Sequence, residues 1–270
     1  MADRSKVKGP DWQRQRKCTA ASFNEQNNVL VWNESLRQAG QMLQYWLSTN
    51  ETGFKSLAYD TRTLTLDVLV HAAFGKSFDF RSSHDHVDQQ GSFSYRDALA
   101  IVLHNALIIL ALGQNLLRKL SFVPRLKRIS RAADQFKSYM TDMLDENSRI
   151  DSGHKVQGNL ISSLVHASLH ENSLKPEEVV GNIFVFNFAG HDTTAHSFAF
   201  TFMLLAGRPE VQDWMAEEIR YVTEGTDRLQ DKYELFPRLV RTLAVLVRES
   251  ILDPHFVMLN RIIAGDLASV

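Results

Sequence analysis

The sequence holds a single cysteine, Cys18, in 270 residues. An intrachain disulfide is therefore excluded, and a reducing compartment is the expected setting. No segment reaches the roughly 18 uninterrupted apolar residues of a membrane span. The stretch from Leu99 to Leu112 comes nearest, but it is short and carries His104 and Asn105. Charge of one sign is also lacking: the formal net charge is −1, which gives no reason to expect nucleic acid as a partner. Internal repeats and low-complexity tracts are absent, so a solenoid is not indicated. Met1 to Pro10 is basic and polar, without the apolar core of a signal peptide. What is present is ordinary globular composition, 44% apolar and 23% charged, enough for one large domain or two small ones.

The most apolar run, Val179 to Ala206, opens at Pro176-Glu177-Glu178 and closes at Gly207-Arg208-Pro209. Proline in the first turn, acids beside it, and glycine with proline past the end punctuate a helix. The reading is one helix of about 30 residues, on the order of 45 Å long, buried nearly all round. Its centre is nonetheless Ala189-Gly190-His191-Asp192-Thr193-Thr194, and buried polar groups are costly unless satisfied or used. Ala189 and Gly190 remove bulk, so a flat or small ligand could approach the backbone there. Gly190 and a threonine bonding one turn back lead us to expect a local bulge or kink. Asp192 in apolar surroundings suits a proton carrier, and Thr193 can donate and accept at once. On this reading Asp192 and Thr193 face inward.

Gly9-Pro10-Asp11-Trp12 begins a first helix, on which Trp12 and Arg16 share a face four residues apart. An indole N–H and a guanidinium fork on one face can hold a carboxylate; a plain surface cation–π pair is the alternative. Val29, Trp32, Leu36, Ala39, Leu43 and Trp46 recur at helical spacing and predict an amphipathic helix over Val29 to Leu47. Residues 60 to 74 fit a strand by the alternation of Leu64, Leu66, Val68 and Val70, and a buried helix by length. Arg81 to Ser94 reads as a loop, whose His84 and His86 lack the further ligands of a metal site. Leu99 to Leu112 reads as one buried helix ended near Gly113. Leu126, Ile129, Ala133, Phe136, Met140 and Met143 mark a long helix, with Arg125, Lys127, Arg128, Arg131 and Lys137 on a solvated face. Asn147 to Asn159 reads as a polar linker, and Leu160 to Val165 as a short helix. Pro209 to Val222 is a further helix, with Glu210, Asp213, Glu217 and Glu218 on its outside.

Ala-Gly-His-Asp-Thr-Thr at 189–194 resembles the oxygen-groove motif of the haem-thiolate monooxygenases, the cytochrome P-450 family. Trp12-x-x-x-Arg16 after Gly9 resembles the family's second signature. The resemblance implies a mostly α fold built around one long central helix, with residues 60–74 helical and Leu99 to Leu112 over the substrate. It implies that Asp192 and Thr193 deliver protons during dioxygen activation, that Ala189 and Gly190 line the dioxygen groove, and that Trp12 and Arg16 hold a haem propionate. Implied with these are haem iron as cofactor, a small apolar organic substrate, electrons from NADPH through a cytochrome reductase, and the cytoplasmic face of the endoplasmic reticulum.

The resemblance spans residues 9–250, so the chain reads as an incomplete member, truncated at both ends, with 251–270 an unmatched tail. Glu249 matches the glutamate of the family's Glu-x-x-Arg helix, but Leu252 stands where its arginine is expected. The pattern Phe-x-x-Gly-x-Arg-x-Cys-x-Gly, which bears the axial thiolate, does not occur in the sequence. The expectation is therefore that this chain is inactive as given. A non-catalytic helical protein, or a mis-spliced product without haem, is the alternative. A metallohydrolase using Asp192 and His196, which share a helix face, is a third reading. His191 and His196 are five apart, about 140° around a helix, which disfavours both on one metal.

Overall fold

A computed structural model describes residues 9–20, 23–48, 56–80, 93–150, 164, 174–226, 229 and 232–252. These form α1 (Pro10–Ala20), α2 (Glu25–Ser48), α3 (Leu57–Phe74), α4 (Tyr95–His104), α5 (Ala106–Lys119), α6 (Pro124–Ile150), α7 (Pro176–Ala206), α8 (Pro209–Thr223), a 3₁₀ turn (Tyr233–Arg238) and α9 (Val240–Leu252). No strand occurs among the described residues. The mostly α expectation therefore holds, and α7 has the predicted bounds.

The central helix buries a continuous ridge at four-residue spacing, broadened in its first half by Asn182 and Phe184. Val179, Ile183, Asn187, His191, Ala195 and Ala199 are all buried, as expected for a helix laid along its neighbours on one stripe. It is not buried all round: Phe200, Phe202, Met203 and Leu204 are exposed. Helix α7 runs unbroken through the motif, so Gly190 opens no break in it.

Helix α3 lies along α7, and residues 60–74 are helical. Thr63, Leu64, Thr65 and Leu66 are all buried, so the middle of α3 is covered around most of its circumference and its alternation marked no face. The threonines remain satisfied by bonding back, Thr61 to the Leu57 carbonyl and Thr65 to that of Arg62. Gly75 ends α3 at φ +67°, its N–H bonded to the His71 carbonyl. Glycine adopts this left-handed cap without the Cβ penalty.

Two expectations about buried faces are corrected. In α2 the buried ridge is Glu34, Gln38 and Met42, whereas Leu43 is 53% exposed. The polar ridge is used: Arg37 and Gln38 hold the Phe78 carbonyl, Gln41 accepts from the Phe80 N–H, and Glu34 holds Arg37 at 2.6 Å. The segment from Leu99 to Leu112 is two helices, α4 and α5, bent by 99°. The Asn105 side chain donates to the Ile101 carbonyl at 2.8 Å, closing α4. Gly113 interrupts α5 at φ 69°, and Leu107 and Leu110 are exposed. No single described helix is long and apolar enough to cross a membrane; by composition the bent pair α4–α5 alone passes among the described residues.

The largest core joins α3, α4, α5, α6 and α7, with Leu99, Val102, Ile129, Phe136 and Met140 buried where α4 meets α6. Basic residues Arg125, Lys127, Arg128, Arg131 and Lys137 face solvent, and α6 continues to Ile150, through the first residues of the expected linker. His84, His86, most of the short helix at 160–165 and the tail from 253 lie outside the described residues. Glu218 is not a solvated acid: it accepts the backbone N–H groups of Arg241 and Thr242, capping the start of α9 as an anion at a helix N-terminus should.

Candidate functional site

Helix α1 is fastened to the first turn of α7. Both Arg14 terminal nitrogens donate to Glu178, at 3.0 and 2.8 Å, and Gln15 Nε2 donates to the same carboxylate at 3.1 Å. Glu178 also accepts the Lys175 N–H at 2.8 Å. One carboxylate thus caps α7 and holds α1. Arg14 in the first place, helped by the backbone N–H, lowers the Glu178 pKa from 4.5 to about 2 against the opposing effect of burial. A lowered carboxylate pKa stabilises the fold above its unfolded value, and that stabilisation is lost as pH falls through the folded value. The clasp should therefore weaken between pH 4.5 and about 2, with a ceiling of about 3 kcal/mol, reduced by the partial exposure of Arg14. Acid denaturation of the native chain should show this limb and Glu178→Gln should lack it. Superimposable acid limbs would count against the clasp.

The clasp sets the position of the predicted carboxylate-holding pair. The Arg16 guanidinium lies 5.0 Å from the centre of the Trp12 ring. Arg16 is exposed and Trp12 half-buried, and neither side chain donates a hydrogen bond among the described residues. Cys18 is half-buried and packs against the main core. Two residues along a helix from Arg16, it points about 200° away.

The motif on α7 divides between faces. His191 is its inward residue, 3.3 Å from Thr65 Oγ1 by its Nδ1. Burial holds the imidazole pKa down to about 4, with Asp192 opposing, so His191 is neutral at physiological pH. Asp192 does not face inward into apolar surroundings: its side chain is 45% exposed and bonded to Arg62 Nε at 3.0 Å. It sits one residue off the buried ridge, about 100° around the helix. Thr193 is half-buried and donates to the Ala189 carbonyl at 2.6 Å. Val185, Ala189 and Thr193, all half-buried, follow one another at four-residue spacing along a common face. Gly190 turns the other way, since a Cβ there would lie 3.6 Å from Leu69 Cδ1 of α3. Asp192 and His196 share a face at 4.0 Å, but among the described residues no three potential ligands gather to hold a metal ion. The metallohydrolase reading therefore gains no support.

Arg62 is the site residue that sequence reasoning missed, because its partner is 130 positions away. Glu249 lies on α9, and its side chain is outside the described residues.

The family model for cytochrome P450 matches residues 4–247. Cytochrome P450 monooxygenase 124 of Postia placenta is 31% identical over 242 residues, covering 88% of this chain and 46% of its own length. A cytochrome P450 monooxygenase of Arthrobotrys oligospora is 29% identical over 271 residues, covering 90% of this chain and 46% of its own. Among solved structures, the heme domain of a cytochrome P450DA mutant superimposes with a TM-score of 0.69 at 21% identity, over 91% of this chain and 51% of that one. The chain thus spans about half the length of the relatives it matches.

Proposed function

The chain belongs to the cytochrome P450 family, and from that premise we propose that it forms the oxygen side and one edge of a haem monooxygenase site. The observation that carries this is the α7 motif held by α3: Asp192 tied to Arg62, and Thr193 bonded to the Ala189 carbonyl.

The residues fit haem at two places. Trp12 and Arg16 offer unengaged donors side by side on α1, a fork suited to a propionate. Val185, Ala189 and Thr193 offer a half-buried face with little bulk at Ala189, and Gly190 beside it adds none. The axial ligand is a different matter, for the one thiol, Cys18, is turned into the core. A bound haem would supply oxygen activation at its iron for insertion of one oxygen atom into a small apolar organic substrate, with NADPH-derived electrons from a reductase.

The chain's own residues then have distinct tasks. Arg16 and Trp12 orient the edge. Val185 and Ala189 keep the face apolar and uncluttered. Asp192, at the boundary with solvent, takes up a proton, and Thr193 passes one on through a hydroxyl that both donates and accepts. With Cys18 packed against the core and unable to serve as axial ligand, haem added to these 270 residues alone is expected to bind weakly. In a haem titration followed by absorbance, Arg16→Ala should weaken what binding there is roughly tenfold, the scale of one charge-assisted hydrogen bond. Equal affinity of the two proteins would remove Arg16 from the edge.

A further inference from the structure

Arg62 is bonded to more than Asp192, and its second contact fixes a proton. Arg62 Nη2 lies 3.2 Å from His196 Nε2. A guanidinium only donates, so His196 Nε2 must present a lone pair. The imidazole is then neutral, with its proton on Nδ1. Nδ1 in turn lies 4.0 Å from Asp192 Oδ2, while Arg62 Nε donates to Asp192 Oδ1 at 3.0 Å.

We propose that His196 is a positioning residue for Asp192, locked as its Nδ1–H tautomer in a closed ring with Arg62. Resting on the reading of Asp192 as the proton carrier, the ring says how that carboxylate is held. Arg62 donates to both partners, and His196 Nδ1 lies 4.0 Å from Asp192 Oδ2, the carboxylate oxygen that Arg62 leaves open, an electrostatic contact longer than a hydrogen bond. Each of the two Arg62 hydrogen bonds has one donor and one acceptor. A protonated imidazole would set N–H against N–H at Arg62, so the ring closes only around neutral His196. Its members come from two helices, Arg62 from α3 and the other two from successive turns of α7. Their side chains are 30%, 45% and 47% exposed for Arg62, Asp192 and His196. The ring therefore lies at the solvent edge of the α3–α7 contact, where a proton reaches Asp192 from water. Buried His191 belongs to the inner side of the same contact and bonds Thr65 instead.

The test is the tautomer itself, read without haem or turnover. The full 270-residue chain is labelled with ¹⁵N-histidine, and long-range ¹H–¹⁵N correlations are recorded at mildly alkaline pH. The signal that vanishes in His196→Gln identifies the residue. The expected pattern is a protonated Nδ1 and a bare Nε2. Arg62→Leu, with helix content checked by circular dichroism, should release it to a mixture of tautomers, and Arg62→Lys, which keeps a donor, should retain it. An Nε2–H tautomer in the native chain, or a tautomer indifferent to Arg62→Leu in a folded protein, would overturn the ring. If Arg62→Leu does not fold, the native chain's tautomer decides alone. Failure here leaves the proton-carrier role of Asp192 standing, since that role is read from product coupling and not from the imidazole.

Discussion

Thr193→Ala, in a haem-loaded monooxygenase carrying this segment, is expected to lower product formed per NADPH about 100-fold, the contribution of a positioned proton donor. Reducing equivalents should appear as peroxide instead, with substrate affinity little changed. The variant separates chemistry from folding. Thr193 Oγ1 donates to the Ala189 carbonyl, a bond back along the helix that contributes little to helix stability. Alanine is the better helix former, so α7 should persist. The hydroxyl is half-buried, and its oxygen remains free to accept while its proton is held by the Ala189 carbonyl. It can therefore take a proton on one side and release one on the other by a rotation of the O–H. Thr193→Ser, which keeps that hydroxyl, should restore most of the coupling. Unchanged coupling in Thr193→Ala would take the residue out of the mechanism.

What was legible in the sequence follows from the range of each interaction. Helix α7 could be bounded to the residue because Pro176 and Gly207-Pro209 act on their own turns. The face of α6 could be read because Ile129, Phe136 and Met140 lie on one stripe that packs against its neighbours α4 and α5. The motif residues could be named because six consecutive positions carry them. Their orientation could not, because an apolar helix with no dominant face does not say which ridge will be buried. The ridge through His191 won, leaving Asp192 at the edge. Its partner Arg62 was invisible for want of any local signal. The polar ridge of α2 was missed because Glu34, Arg37 and Gln38 look like a solvated face until the chain at Phe78 and Phe80 folds over them. The bend at Asn105 was missed because an asparagine closing its own helix resembles any polar residue in an apolar run. Glu218 likewise looked like surface charge until α9 placed its first N–H groups on it.

On our proposal these 270 residues supply the edge and the oxygen side of a haem site, and Cys18 is not its axial ligand. A cysteine thiolate pushes electron density toward the iron and gives the reduced carbon monoxide adduct its red-shifted Soret band. The only thiol is Cys18, half-buried against the core and about 200° around α1 from Arg16. It cannot reach an iron whose propionate Arg16 holds. The most direct measurement is the absorbance spectrum of the purified 270-residue chain mixed with haem, reduced, and exposed to carbon monoxide. The expectation is weak uptake and no red-shifted band, with Cys18→Ser indistinguishable from the native chain. A red-shifted band that disappears in Cys18→Ser would contradict it, making Cys18 the ligand and reversing the faces assigned to α1.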